Sequence, residues 1–336
     1  MTDHVRFLQI EPTTRCNFAC RFCVGRRLPQ QDMPLEVFEA LLRLLPGLRH
    51  IELQGEGEPL LHPQFFEMVR RTRHLHPVVR ISTITNGSLL APKNIRQIVD
   101  LGFHKLYVSI ESARPEVFWE LRRGRLETVL EGIRALLEAR RAGGSERPAI
   151  GLAVTVLRRT VAEVPDLLRL YEALGIDGGV MLQPLQAMGN YSRHYDSEIR
   201  GQLLSAEDAE GFNQLLAREP HLLAILCRPV KATGFYQELY AASQDDAGAC
   251  PWLAQGLYVS ADGRMASCCF QKDAEVNNFG RVGEVTANDM LHKRRELAEG
   301  LRHGRPPPGC HGCPVAKKIL LPVGQPPADP HSYHET

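Results

Sequence analysis

Short β-rich runs alternate with segments of helical periodicity over the first 190 residues, and this alternation constrains the fold more than any other feature. The six strand-like runs are Val5–Ile10, Ile51–Leu53, Val78–Ile84, Lys105–Ile110, Ala149–Leu157 and Gly179–Leu182. The helical segments between them are Leu35–Leu45, Pro63–His74, Pro92–Leu101, Pro115–Arg141 and Val161–Leu174. Strands that alternate with helices form a parallel sheet covered by helices. Because a complete eightfold barrel takes about 250 residues, six units predict an α/β fold, a partial (β/α)6 barrel over residues 1–190.

The pattern changes after residue 190. Residues 191–245 contain no strand pattern and are predicted to be a connector, with a helix over Glu207–Leu226. Residues 246–318 are predicted to be a small second domain. It contains two short alternating runs around Asp262-Gly263, a strong hairpin signal, and a helix over Thr286–His303. The last residues, 319–336, are polar and rich in proline, and we expect a flexible tail there.

Composition excludes several classes of function. Forty Lys and Arg against thirty-nine Asp and Glu give a net charge of +1, so there is no global electrostatic case for nucleic acid or an anionic membrane as a partner. No apolar run approaches the ~18 residues of a membrane span, and the N-terminus lacks a secretory signal, so we expect a cytoplasmic protein. Nine cysteines in such a chain indicate metal binding or catalysis rather than disulfides.

The first cysteine group lies directly after the first predicted strand. Cys16, Cys20 and Cys23 have the spacing C-x3-C-x2-C, and the next His or Cys is His50. Three close thiolates without a fourth suit a [4Fe–4S] cluster with one iron left open for a substrate. A zinc knuckle or three unrelated buried cysteines are the alternatives.

Several motifs together resemble those of the radical S-adenosylmethionine (radical SAM) superfamily. The segment EPTTRCNFACRFC is similar to its cluster loop, and QGEGEPLLHP at 54–63 to its GGE motif, with Glu56 in place of the usual first glycine. The stretches TNG at 85–87, VSIES at 108–112 and RRG at 122–124 resemble regions that contact SAM. By this resemblance the cluster ligands are Cys16, Cys20 and Cys23. The implied SAM contacts are Phe22, Glu58, Asn86, Ser109, Glu111 and Arg122 or Arg123.

The resemblance also implies a reaction. One electron from the reduced cluster would split SAM and release a 5′-deoxyadenosyl radical, which abstracts a hydrogen atom from the substrate. Glu58 would accept from the SAM ammonium, and an arginine would pair with its carboxylate. A flavodoxin or ferredoxin would supply the electron.

The second cysteine group lies in the predicted second domain. Cys250 and Cys268 flank the hairpin, and Cys310 and Cys313 form a CxxC. This pattern resembles the shortened Twitch version of the SPASM domain, which implies one auxiliary [4Fe–4S] cluster with four cysteine ligands. A structural zinc site is the alternative. We expect a structural role for Cys269 and a solvated position for His311.

Cys227 is the remaining thiol, and it permits several reactions. An epimerase would use Cys227 as hydrogen-atom donor, and this is the predicted function. A dehydrogenase would pass an electron to the auxiliary cluster, and a peptide-modifying maturase is a third possibility. The predicted first strand begins by residue 5, which leaves no room for a preceding peptide-binding domain and favours a small substrate, by analogy a carbohydrate-type one. An iron–sulfur electron carrier is the non-enzymatic alternative.

Overall fold

The computed structural model describes residues 4–228, 230, 232–242, 250–271, 278–311 and 313, so the predicted tail at 319–336 lies outside the described residues. Six parallel strands form the barrel: β1 (Phe7–Ile10), β2 (His50–Leu53), β3 (Arg80–Thr85), β4 (Lys105–Ser109), β5 (Ala149–Val156) and β6 (Val180–Pro184). They are adjacent in chain order, each paired in parallel with the next. The predicted partial barrel is confirmed.

Helices follow the barrel strands: α1 (Leu35–Leu44), α2 (Phe65–Leu75), α3 (Pro92–Asp100), α4 (Pro115–Arg122), α5 (Leu126–Ala142) and α6 (Val164–Leu174). The single helix predicted over Pro115–Arg141 is wrong, because α4 and α5 are separate. Arg123 ends α4 in the left-handed conformation, with φ of 58°. A residue in that conformation interrupts a right-handed helix.

The connector contains α7 (Gly189–Ser192), α8 (Ser197–Arg200), α9 (Ala206–Ala217), α10 (Pro220–Cys227) and α11 (Phe235–Ala241). The predicted helix over Glu207–Leu226 is wrong as a single element. Pro220 begins a new helix, since proline lacks the N–H that would continue the first one. Helix α11 packs against the amino-terminal ends of the strands, where the Phe235 ring lies 5.9 Å from that of Phe7 and 5.5 Å from that of His50.

The C-terminal part contains α12 (Pro251–Gln255), β7 (Gly256–Val259), β8 (Arg264–Ala266), β9 (Asn278–Arg281) and α13 (Ala287–Arg302). The predicted hairpin is confirmed, with Gly263 at φ of 81°. Strand β7 pairs in parallel with β1, which the sequence did not predict, so one nine-stranded sheet extends through both parts. None of the described helices combines the length and the apolar character of a membrane span.

Strand side chains alternate between two sides of the sheet. Leu8 and Ile10 of β1 belong to the large core cluster shared with the helices. Phe7 packs with Phe235, and Gln9 accepts a hydrogen bond from Tyr236 of α11 over 3.0 Å. The inner side of the barrel is therefore partly polar.

Candidate active site and second cysteine centre

Three cysteine thiols lie together in the loop between β1 and α1. Cys20 is buried, and Cys16 and Cys23 are partly buried. Burial raises the pKa of all three thiols, that of Cys20 to about 11, and the charges of neighbouring thiols add to the rise for Cys20 and Cys23. Buried thiolates this close to one another need a cation for stability. The donor set therefore fits the cluster expected in this loop.

Contacts outside the cysteine motif hold this loop in shape. The Thr14 hydroxyl donates to the carbonyl of Pro29 over 2.7 Å. The Arg15 guanidinium donates twice to the Asp32 carboxylate, over 3.0 and 2.8 Å. Gly57, in the second motif, packs so closely on the loop backbone that a side chain there would collide with it. The glycine therefore permits β2 and its following loop to support the cysteines.

Glu58 and Asn86 lie beside the first thiol. Glu58 is 1% exposed, and it accepts from the Thr85 hydroxyl and from the Asn86 backbone N–H, each over 2.7 Å. The Asn86 side-chain amide lies 3.8 Å from the Cys16 sulfur. Burial raises the pKa of Glu58, and the hydrogen bonds oppose that rise. A carboxylate has about four acceptor positions, so Glu58 retains capacity for an ammonium group.

Glu111 and Arg122 form a buried ion pair near the thiols. The Arg122 guanidinium donates to both carboxylate oxygens, over 2.6 Å for Nη2 to Oε1. Burial alone would lower the pKa of Arg122, but the Glu111 carboxylate raises it above its ordinary value. The guanidinium also lies 5.9 Å from the Phe22 ring centre. The structure thus brings together three residues that the resemblance assigns to SAM, and it pairs two of them with each other.

Arg123, the alternative to Arg122, points away from this site. It is exposed, and its guanidinium stacks 4.2 Å from the ring centre of Trp119, on the outside of α4. Its interpretation as a SAM contact stays a prediction, which this exposed position does not favour. Ser109 is the last residue of β4 and is half-buried at the carboxyl end of that strand.

A hydrogen-bonded connection between the two cysteine groups was missed in the sequence. One Glu56 oxygen lies 3.6 Å from the Cys23 sulfur, and the other accepts from the Tyr191 hydroxyl over 3.0 Å. The same hydroxyl lies 3.3 Å from the carbonyl of Cys269, the neighbour of Cys268. The sequence indicated only that Glu56 replaces the usual glycine of the GGE motif. It did not indicate the hydrogen-bond partner of Glu56, Tyr191, because α7 is distant along the chain.

Cys227 lies far from the position expected for a hydrogen-atom donor. It is exposed at the end of α10, a helix that packs on α6 and α9. Val230, three residues later, packs on Gly179 directly before β6, and the Ala232 carbonyl accepts from Lys105 at the start of β4 over 2.8 Å. Cys227 therefore lies toward the amino-terminal ends of the strands, whereas the cysteine loop follows the carboxyl end of β1. The role of Cys227 as hydrogen-atom donor stays a prediction, which this exposed position does not favour.

This position predicts a small effect for Cys227→Ser. Because the thiol is exposed and remote from the thiol group in the first loop, iron content and the rate of 5′-deoxyadenosine formation should stay within about twofold of the wild type, as for an ordinary surface substitution. Both quantities are measured by iron assay and chromatography on anaerobically purified protein. A variant that still forms 5′-deoxyadenosine but no longer forms product would restore the role of Cys227 as donor.

Four further thiols line a small cavity in the C-terminal part, those of Cys250, Cys268, Cys310 and Cys313. Burial raises the pKa of Cys250 and of Cys268. Among the described residues no three His, Cys, Asp or Glu side chains converge closely enough for one metal ion. The four thiols instead surround a common space, an arrangement that fits a cluster bound by four cysteines.

Polar groups without a partner surround this cavity. Buried atoms of Trp252, Ser267 and Gln271, which line it, have no hydrogen-bond partner among the described residues. The buried guanidinium of Arg294 on α13 also has no hydrogen-bond partner among the described residues. Buried polar groups are normally hydrogen-bonded, so these atoms indicate a space prepared for a polar or charged group. Cys269 itself is buried in an aromatic cluster that includes Phe7, Phe235 and Tyr258.

A larger cavity of about 260 Å³ lies between the cysteine loop and the β7–β8 hairpin. Its lining includes Glu11, Gln31, Tyr258, Asp262, Arg264 and Gln271. Glu11 is 2% exposed, and it accepts from the backbone N–H of Glu56 over 2.7 Å. Gln271 lines this cavity and also that of the four cysteines. Glu11 thus joins this cavity to the backbone of Glu56, and Gln271 joins it to the cavity of the four cysteines.

The fold and these two sites define a partial barrel with a cysteine loop, followed by a second cysteine-bearing region. The family model of the Radical SAM superfamily matches residues 10–171, and that of SPASM, an iron-sulfur cluster-binding domain, matches residues 250–314. Together the two models cover about two thirds of the chain. The chain contains a radical SAM domain and a SPASM-family iron–sulfur domain, as the sequence motifs predicted. Its cofactors are SAM and two [4Fe–4S] clusters.

Curated relatives match about half of the chain. A tungsten-containing aldehyde ferredoxin oxidoreductase cofactor-modifying protein of Pyrococcus furiosus is 30% identical over 180 residues, which covers 52% of this chain and 50% of that protein. A GTP 3′,8-cyclase of Brucella canis is 32% identical over 183 residues, which covers 52% of this chain and 51% of that protein. The chain thus spans about half the length of the curated relatives it matches.

Solved structures share the fold over most of the chain. SuiB of Streptococcus suis bound to precursor peptide SuiA has a TM-score of 0.67 at 14% identity, covering 87% of this chain and 65% of that chain. The structure of anSMEcpe with bound AdoMet has a TM-score of 0.63 at 17% identity, covering 87% and 82%. At these identities the similarity concerns the fold.

Proposed function

We propose that the chain oxidises a small, hydroxyl-bearing, carbohydrate-type substrate held in the cavity between the cysteine loop and the β7–β8 hairpin. The observation that carries this proposal is the position of that cavity, which is lined by the buried carboxylate of Glu11, at the start of the cysteine loop, and by Gln271, which also lines the cavity of the four cysteines. When bound, SAM and the two clusters supply reductive cleavage of the sulfonium, abstraction of a hydrogen atom and an acceptor for a second electron.

Residues of the first site would hold these groups in place. Cys16, Cys20 and Cys23 would bind the first cluster, and Glu58 would accept from the amino group of SAM. Arg122, held by Glu111, would present its remaining N–H group toward the carboxylate of SAM. The four cysteines of the second cavity would bind the auxiliary cluster.

Glu11 would accept the proton that leaves the substrate hydroxyl. Its carboxylate lines the cavity, is almost fully buried, and is fixed in orientation by the backbone N–H of Glu56. A fixed carboxylate in a shielded cavity can act as a general base. Loss of one hydrogen atom, one proton and one further electron converts an alcohol to a carbonyl, so the reaction balances with these acceptors.

The lining of the cavity supports the substrate class. Asp262 and Glu11 offer carboxylates, and Gln31 and Gln271 offer amides, which suit hydroxyl and amino groups. Tyr258 adds an aromatic surface against which a sugar ring can pack. Epimerisation is less well supported, since none of the described lining residues is a cysteine and Cys227 is remote.

Glu11→Gln provides a first test. The variant should still form 5′-deoxyadenosine, because the SAM residues are unchanged, while the oxidised product should fall about 100-fold or more through loss of the base. Both are measured by liquid chromatography and mass spectrometry after anaerobic turnover. Glu36→Gln, an exposed glutamate at the start of α1, is the matched control and should behave as the wild type.

The substrate assay uses reduced protein, SAM and a panel of sugars and aminocyclitols in D2O. A product lighter by two hydrogens is the expected result. A product of unchanged composition that has gained one deuterium would contradict oxidation and indicate epimerisation. If the protein converts peptides but none of the sugars or aminocyclitols in the panel, the small-molecule proposal is contradicted and a maturase is favoured.

A further inference from the structure

Arg294 is a buried cation without a protein partner in the part of the chain that the structure describes. The residue lies on α13 and is 2% exposed. All three of its guanidinium nitrogens are buried without a hydrogen bond to any described residue. Five N–H donors are thus directed into the protein interior without an acceptor among those residues.

Such a group is costly unless an anion balances it. A buried unpaired charge destabilises a protein by several kcal/mol, and natural proteins pair such groups or use them at a site. Burial lowers the pKa of Arg294 to about 10, so the guanidinium remains protonated at neutral pH. The thiol of Cys250 is the described group whose charge opposes this lowering.

The surroundings of Arg294 are those of the second cysteine centre. Helix α13 packs against α12, and Cys250 is the residue that precedes α12. The charge of Arg294 acts in turn to lower the pKa of Cys250, against the larger effect of burial. Trp252 Nε1 and the Ser267 hydroxyl, which line the cavity of the four cysteines, are also without a described partner. Donors thus surround a space that four thiols enclose.

We propose that Arg294 is a positioning residue for the auxiliary cluster, whose negative charge it balances and whose reduction potential it raises. The proposal rests on the assignment of that cluster to Cys250, Cys268, Cys310 and Cys313. Each one-electron reduction adds a negative charge to a cluster, and a fixed nearby cation stabilises the reduced form more than the oxidised form. A higher potential makes the cluster a better acceptor for the electron that substrate oxidation releases.

The test is a redox titration monitored by electron paramagnetic resonance (EPR). The full chain with Cys16, Cys20 and Cys23 replaced by alanine leaves the auxiliary cluster as the source of the signal. The comparison is made at the potential where the auxiliary cluster of this three-cysteine variant is half reduced. When Arg294→Met is introduced into the same variant, the ratio of reduced to oxidised cluster at that potential should fall about tenfold. This fall corresponds to a shift of the reduction potential by about 59 mV to more negative values. Arg295→Met, its exposed neighbour on α13, should leave the ratio unchanged.

Arg294→Lys completes the series. It keeps the charge but loses the planar fork, so a smaller shift in the same direction is expected. Should Arg294→Met lose its iron, Arg294→Gln, which removes the charge and keeps a polar side chain, decides: a lowered ratio supports the proposal and an unchanged ratio overturns it. A fully loaded Arg294→Met variant with unchanged potential also overturns it. Wild-type protein with iron for one cluster only would instead overturn the cysteine assignment, and with it the role of Arg294.

Discussion

Simultaneous replacement of Cys16, Cys20 and Cys23 with alanine should remove one four-iron cluster and leave the other intact. The iron content should fall from about eight to about four atoms per chain, because we propose that each cysteine group holds its own cluster. Formation of 5′-deoxyadenosine should become undetectable, since SAM has no remaining site of reductive cleavage. Iron assay and anaerobic turnover with SAM measure the two effects.

The reciprocal variant is the matched control. Replacement of Cys250, Cys268, Cys310 and Cys313 with alanine should also leave about four irons, yet it should retain cleavage of SAM. Loss of all iron in either variant, or of none, would contradict the division of the cysteines into two independent groups. Zinc in place of iron in the second group would revive the structural zinc alternative for that group.

Arg122→Met should cause the largest loss of stability outside the cysteines. The substitution leaves the Glu111 carboxylate, which is 1% exposed, without its partner. Breaking one side of a buried ion pair costs about 3–5 kcal/mol in the free energy of unfolding. The midpoint of urea denaturation of the anaerobic protein should fall accordingly, and the affinity for SAM should fall with it.

Arg123→Met is the control for this prediction, because Arg123 follows Arg122 in the sequence and its side chain is exposed. Its free energy of unfolding should change by no more than about 0.5 kcal/mol. The double variant Glu111→Gln/Arg122→Met should be more stable than Arg122→Met, since it removes the unpaired charge. Equal stability of the two single arginine variants would contradict the structural importance of the pair.

The sequence predicted the barrel because hydrophobic periodicity reports local structure directly. Predicted strand ends agree with the observed ones to within a few residues, as at β4, which begins at Lys105 in both. Two helices were predicted to be longer than they are, because the hydrophobic periodicity of the sequence continues across the break between two shorter helices. A single left-handed residue at Arg123 and a proline at Pro220 end them, and both depend on local backbone conformation rather than on the apolar pattern.

Contacts between distant segments were beyond the sequence. The parallel pairing of β7 with β1 joins residues about 250 positions apart, and no local pattern encodes it. The same holds for the Glu56–Tyr191 hydrogen bond and for the guanidinium of Arg294, which has no hydrogen-bond partner among the described residues. The cysteine motifs were readable because their spacing is local, whereas the position of Cys227 depends on the packing of its helix against α6 and α9. Short-range spacing therefore indicated the candidate ligands, and tertiary packing determined what surrounds them.

The central claim is that the cluster in the β1–α1 loop has one iron open to SAM. The most direct measurement is the EPR spectrum of the reduced four-cysteine variant, which retains only that cluster, recorded before and after addition of SAM. A clear change of the spectrum on addition of SAM is the predicted result. A spectrum that is identical with and without SAM, in protein that holds its four irons, would contradict the claim.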